Sequence, residues 1–159
     1  MAGQNRSDGT GLGNYELRFS NAGQVIGEAR RKNRLFNWPI IIEGPRDRRA
    51  LVALGFTGPI EVLNRGWTIE RVVAHWYETY GTRNPDAGGP SVCLLMDWDR
   101  TGGRLQRKLA NLMQSFDMMV DQDVRTTLQK NLKPETRVVE SLYGMADRLR
   151  YYITQEDRL

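Results

Sequence analysis

The stretch SVCLLMDWDRTGGRL, residues 91–105, decides the fold. Val92 to Met96 is an unbroken apolar run, and a strand that is apolar on both faces belongs inside a parallel sheet. Two aspartates follow at once, and then the turn formers Gly102 and Gly103. From Gly103 a helix is expected, because Leu105, Leu109, Leu112, Met113, Phe116 and Val120 fall on one helical face. The same order of apolar run, polar turn and amphipathic segment occurs twice upstream. PIIIEG (39–44) ends in Glu43 and Gly44 and precedes a short helix from Asp47 to Leu54, which Gly55 stops. PIEVLN (59–64) is closed by Arg65 and Gly66. Thr68 then N-caps a helix whose apolar positions are Ile69, Val72, Val73, Trp76 and Tyr80. GTRNPDAGGP (81–90) is dense in turn formers and forms a loop. Strands alternating with helices define an α/β fold with a parallel sheet flanked by helices.

Further out, residues 14–36 read as a helix with Leu17, Val25, Ile26 and Ala29 as its apolar face, although Gly23 and Gly27 weaken the pattern. The first 13 residues, rich in Gly, Ser, Asn and Asp, are expected to form a disordered tail. Beyond the sheet region a helix covers about 124–132 and breaks at Pro134. Val138 and Val139 are expected to supply a short fourth strand. Leu142, Met145, Leu149 and Ile153 then repeat at helical spacing. The organisation is thus a tail, an N-terminal helical segment and one domain over 37–159 with a C-terminal helical extension. An exposed strip of Tyr143, Leu149, Tyr151 and Tyr152 on that extension would serve a protein partner or a homodimer.

Composition narrows the chemistry. The chain has 159 residues, 40% hydrophobic and 26% charged, which suits one globular domain and argues against disorder. No apolar run approaches the roughly 18 residues of a membrane span, and the N-terminus lacks a signal-peptide core, so a cytoplasmic protein is expected. One cysteine, Cys93, excludes an internal disulfide and a structural zinc cluster, and one histidine, His75, excludes a His-rich site. Cys93 sits in an apolar run and reads as a buried thiol. Net charge is +4, and 19 of the 23 basic residues are arginine. Residues 1–35 hold six basic and three acidic side chains, and the excess gathers at Arg30, Arg31, Lys32 and Arg34. Such a cluster either tracks a nucleic-acid backbone or forms a charged helix end.

In an open parallel sheet, ligands bind beyond the carboxyl ends of the strands. Glu43 ends the first strand, Asn64 to Gly66 the second, and Asp97 and Asp99 the third. Partly buried acids are costly unless paired or metal-bound. Three carboxylates without His or Cys select a hard cation, Mg²⁺ or Mn²⁺. The competing reading makes Asp99 an N-cap for the following helix. Trp98, between the aspartates, either packs beneath the site or stacks on a nucleobase; packing is favoured, because it points opposite the two acids.

The pair IIIEGPRDRRAL (40–51) and VCLLMDWDRTGGRL (92–105) resembles the Toprim domain of topoisomerases, bacterial primases, OLD-family nucleases and the 5S ribosomal RNA maturase. That signature is a glutamate after one strand, a glycine after the next and Asp-x-Asp after a third, matched by Glu43, Gly66, Asp97 and Asp99. The Glu-Gly-x-x-Asp form is nearest the nuclease and maturase branch and small stand-alone archaeal members. The resemblance covers about residues 37–120 and implies a compact, Rossmann-like sheet of four parallel strands. It also implies a cation on Asp97 and Asp99, Glu43 as general acid/base or metal ligand, and Asp47 as an acid for a second metal. Two such cations stabilise the attacking and leaving oxygens of a phosphodiester displacement. The appended domains of topoisomerases, primases and OLD proteins have no counterpart here.

Arg46 and Arg100, beside the acids, are placed to hold a scissile phosphate, and Arg104 lies in the first turn of its helix, where anions are favoured. The expected function is Mg²⁺-dependent phosphodiester chemistry on DNA or RNA, as a nuclease or RNA-processing factor. The alternative is a metal-binding module that acts only within a larger complex. A small-molecule phosphotransferase is disfavoured by the lack of a glycine-rich phosphate loop.

Overall fold

The computed structural model describes residues 2–158, and those from 14 on with their side chains; the expected tail over 1–13 lies outside the residues described with side chains. Four strands form a parallel sheet: β1 (Ile40–Ile42), β2 (Ile60–Val62), β3 (Val92–Leu94) and β4 (Val120–Asp121), in spatial order β2-β1-β3-β4. Ile40 pairs with Ile60 on one side and with Cys93 on the other, and Val92 pairs with Val120. Around the sheet lie α1 (Ala2–Phe36), α2 (Pro45–Ala53), α3 (Ile69–Tyr80), α4 (Arg100–Ser115), α5 (Asp123–Leu132) and α6 (Leu142–Glu156), with a 3₁₀ turn at Val139–Ser141. The α/β parallel-sheet architecture read from the sequence is the one observed.

Alternation along the central strands divides the core into two layers. Ile40, Ile42, Cys93 and Leu95 face α1, α2, α5 and α6. Ile41, Val92, Leu94 and Met96 face α3 and α4. Each buried aliphatic side chain there contributes roughly 1.5–3 kcal/mol, which fixes the register of β1 against β3 and so the placement of the residues just beyond each strand. Helix α1 belongs to the first layer through Phe19, Ala22, Ile26 and Ala29. Its glycines mark close packing: a Cβ on Gly23 would lie 2.3 Å from the Tyr152 Cβ, and one on Gly27 2.7 Å from the Ile153 carbonyl oxygen.

Four expectations are corrected. The fourth strand is Val120–Asp121, not Val138–Val139; the latter segment turns because Val139 is buried and its N–H is held by the Asp97 carboxylate. Helix α4 starts at Arg100 rather than Gly103, because Asp99 caps it. Leu17 is exposed, while Phe19 and Ala22 carry the buried face of α1. Leu149 is buried, so Tyr143 and Tyr151 are exposed singly rather than as a continuous strip. Among the described residues, no helix is long and apolar enough to cross a membrane.

Candidate functional site

In the order β2-β1-β3-β4 the chain leaves β1 toward one edge of the sheet and β3 toward the other, so a crevice opens beyond the carboxyl ends of β1 and β3. A cleft of about 290 Å³ lies there, lined by Glu43, Gly44, Arg46, Asp47, Asn64, Asp97 and Glu140 among others. Glu43 comes directly after β1. Asp47 sits in the first turn of α2, where its carboxylate accepts the Gly44 N–H at 3.1 Å. Asp97 succeeds the buried Leu95 and Met96, and its Oδ1 accepts the Val139 N–H at 2.8 Å. Asp99 caps α4, its Oδ1 accepting the Gly102 N–H at 2.7 Å. One oxygen of each aspartate is thus committed to the backbone.

The carboxylates oppose one another's ionisation. Burial pushes Glu43 above its usual range, Asp97 and Asp99 add to the rise, and Asn64 works against it. Asp97 is raised by burial first and then by Asp47, Asp99 and Glu140, with the Val139 N–H pulling it back. Asp47 is raised by burial and by Glu43 and Glu140, against the Gly44 N–H. Among the described residues no three His, Cys, Asp or Glu side chains stand close enough to hold a metal ion as they are. The donor set is nonetheless all-oxygen, which suits a hard cation, and Asp97 and Asp99 each keep one oxygen clear of the bonds to Val139 and Gly102.

The arginines divide. Arg46 is exposed and reaches Glu140 at 4.0 Å across the cleft mouth. Arg100 and Arg104 are exposed on the first turns of α4. Arg30 is buried: its Nε donates to Asp157 at 2.7 Å, and its other nitrogens to the carbonyls of Leu54 and Asp157. Arg34 pairs with the same carboxylate. Both are therefore taken up in a structural ion pair and do not track a nucleic-acid backbone. Arg31 and Lys32 stay half-exposed, with the Lys32 ammonium 5.2 Å from the Trp38 ring centre. Trp98 packs beneath the site at 2% exposure, its Nε1 donating to the Thr136 carbonyl.

Three residues at or behind the cleft escaped the sequence reading. Glu140 lines it and comes after Val138–Val139, the same apolar-then-acid signal that marked Glu43 and Asp97. Arg125 donates to the Met96 and Asp97 carbonyls at 2.9–3.2 Å. Buried Gln106 accepts the Met96 N–H and donates to the Leu94 carbonyl, locking the end of β3.

No family model matches the chain. It is similar to the UPF0292 protein of Thermococcus onnurineus, with 35% identity over 114 residues covering 72% of this chain and 77% of the relative. The UPF0292 proteins of Pyrococcus abyssi (32% identity, 79% and 88% covered) and Methanosarcina barkeri (32%, 70% and 71%) are likewise similar. A solved structure of a protein from Aquifex aeolicus shares the fold with a TM-score of 0.55 at 25% identity, over 74% of this chain and 94% of that one. The assignment to the Toprim domain is therefore corrected: the relatives carry the UPF0292 name, and neither they nor the solved structure bring a Toprim assignment.

Proposed function

Taking as premise that the chain belongs to the UPF0292 family, we propose that its β1/β3 cleft carries out Mg²⁺- or Mn²⁺-dependent phosphodiester chemistry on nucleic acid. One observation carries this reading. Glu43, Asp47, Asp97 and Glu140 line one cleft at the sheet's switch point, where burial first and neighbouring carboxylates second push Glu43, Asp47 and Asp97 above their usual range. A divalent cation relieves that repulsion, and bound there it would lower the pKa of water and neutralise charge on a phosphoryl oxygen. Asp97 and Asp99 would hold the ion through the oxygens not spent on Val139 and Gly102. Glu43, with its pKa raised, is suited to exchange a proton with the attacking or leaving oxygen. Asp47 and Glu140 supply further negative charge for a second ion. Arg46 from the cleft lining and Arg100 from the first turn of α4 would pair with phosphate oxygens. A cytoplasmic setting, where nucleic acid is met, is part of this reading.

The test is a metal titration of cleavage on single- and double-stranded DNA and RNA, with the Asp97→Ala, Asp99→Ala double variant as control. Mg²⁺-dependent products that fall by at least 100-fold in the double variant are expected. Metal binding that the double variant loses, with no product from either protein, would reduce the site to a binding module. No metal binding by the wild type would overturn the reading.

A further inference from the structure

Two rows of side chains run away from the cleft side by side. On α2, Arg46 and Arg49 are three residues apart, about 4.5 Å along the helix axis. Opposite them stand Glu140 and Tyr143, from the 3₁₀ turn and the start of α6. Arg46 reaches Glu140 at 4.0 Å, and the Arg49 guanidinium carbon lies 4.2 Å from the Tyr143 ring centre. Tyr143 is nevertheless 48% exposed. Asp147, one turn further on, is paired with Arg150 at 2.6 Å and so contributes little net repulsion. The result is an aromatic ring with one guanidinium over it, about one turn along from Arg46 and Glu140, which line the cleft.

We infer that Tyr143 and Arg49 form a base-stacking subsite for single-stranded nucleic acid entering or leaving the cleft. This rests on the reading of the cleft as a phosphodiester site, and it names the substrate as unpaired. A guanidinium on one face of a ring leaves the other face for a nucleobase, and every base has a π-face to offer. In a duplex the bases are stacked on one another, so only an unpaired base can lie on Tyr143. Arg46 and Arg49 would meet the phosphates on either side.

The experiment is fluorescence anisotropy of a labelled short oligonucleotide, single-stranded and as a duplex of the same sequence. It is run in chelator so that no turnover intervenes. Tyr143→Ala is expected to weaken single-strand binding roughly 10-fold, within the range of a lost base–aromatic stack, and to leave duplex binding unchanged. Tyr143→Phe keeps the ring and is expected to keep the affinity. Wild-type affinity in Tyr143→Ala, an equal loss on the duplex, or no oligonucleotide binding by the wild type would each overturn the subsite. Self-association that depends on Tyr143, without oligonucleotide binding, would assign the face to a second copy of the chain and overturn it too. The Asp97→Ala, Asp99→Ala variant in the same assay separates the two readings. If it binds single strands while the wild type cleaves nothing, the phosphodiester reading fails and the stacking subsite stands.

Discussion

A Cβ on Gly102 would lie 2.0 Å from the Asp97 carbonyl oxygen and 2.8 Å from the Asp97 Cβ. The obstacle is mostly backbone, so it cannot swing aside as a flexible side chain would. Gly102 also gives its N–H to the Asp99 cap, which couples one residue to both aspartates. Gly102→Ala is therefore expected to cost about 1–3 kcal/mol, seen as about 2–4 °C of melting temperature per kcal/mol at this length. It should also weaken Mg²⁺ binding at least 10-fold, because the aspartates move. Gly44→Ala is the control, since its backbone is extended and its Cβ position is open. Metal affinity unchanged in Gly102→Ala would break the link between this glycine and the site. At this scale the sequence was informative where an acid succeeds an apolar run, as at Glu43 and Asp97, and where a cap precedes a helix, as at Asp99. It was silent on Arg125, whose partners are carbonyls 28–29 residues away and carry no side-chain signature. It misdirected at Arg30, because a basic cluster on a helix does not reveal that its counter-ion is Asp157, 127 residues on.

Among the elements, β2 is the edge strand on its side of the sheet, and its residues, like those of β4 at the other edge, are only partly buried. It is held by a polar knot instead. Glu61 accepts from Trp76 Nε1 at 3.0 Å, from the Tyr80 hydroxyl at 2.5 Å and from Arg65 at 2.8 Å, tying β2 to α3. Burial acts to raise the Glu61 pKa, but the bonds from Tyr80, Arg65 and Trp76 together outweigh it and hold the carboxyl below its ordinary value. A carboxylate with a lowered folded pKa stabilises the fold above its unfolded value and loses that contribution as pH falls through the folded one. Glu61→Ala strands the indole N–H and the phenol, so a loss of about 2–3 kcal/mol is expected at neutral pH. Thermal melts of variant and wild type should converge as pH drops below 4.5, the ordinary value of this group. A gap that persists unchanged into acid would mean that packing, not the carboxylate, accounts for the loss. The long elements with clear periodicity, α3 and α4, were legible. The strand β4 was not: two residues are too short for a pattern, and Val138–Val139 offered a more β-like pair whose burial is achieved in a turn.

For the molecule as a whole, the helical layer of α1, α5 and α6 must be joined to the sheet that carries the site. Much of that junction is apolar, but one polar clamp crosses the layer. Asp157, 1% exposed just past α6, takes Arg30 and Arg34 from α1, and Arg30 also reaches the Leu54 carbonyl at the end of α2. Three elements thus meet at the Arg30 guanidinium. A buried pair of this kind adds little beyond what an apolar substitute would, yet breaking it from one side leaves an uncompensated charge in a low-dielectric place. Asp157→Ala keeps every apolar contact of α1 and strands the Arg30 guanidinium among carbonyls. A loss of about 3–5 kcal/mol is expected, read as a lower urea midpoint at unchanged slope. Arg30→Met should cost less, because Asp157 retains Arg34 and the aliphatic stem is replaced in kind. If the two single variants lose equal stability, Arg34 contributes nothing and the clamp is a simple pair. If Asp157→Ala is harmless, α1 is held by its apolar face, the Gly23 and Gly27 contacts and its other polar bonds, such as Arg18 to Glu135 and Asn33 to the Pro59 carbonyl. Either way the carboxylate cleft should be untouched, since the clamp grips the far side of α2 while Glu43, Asp97 and Asp99 are fixed by the sheet. Metal affinity of the folded Asp157→Ala protein is therefore expected to equal that of the wild type.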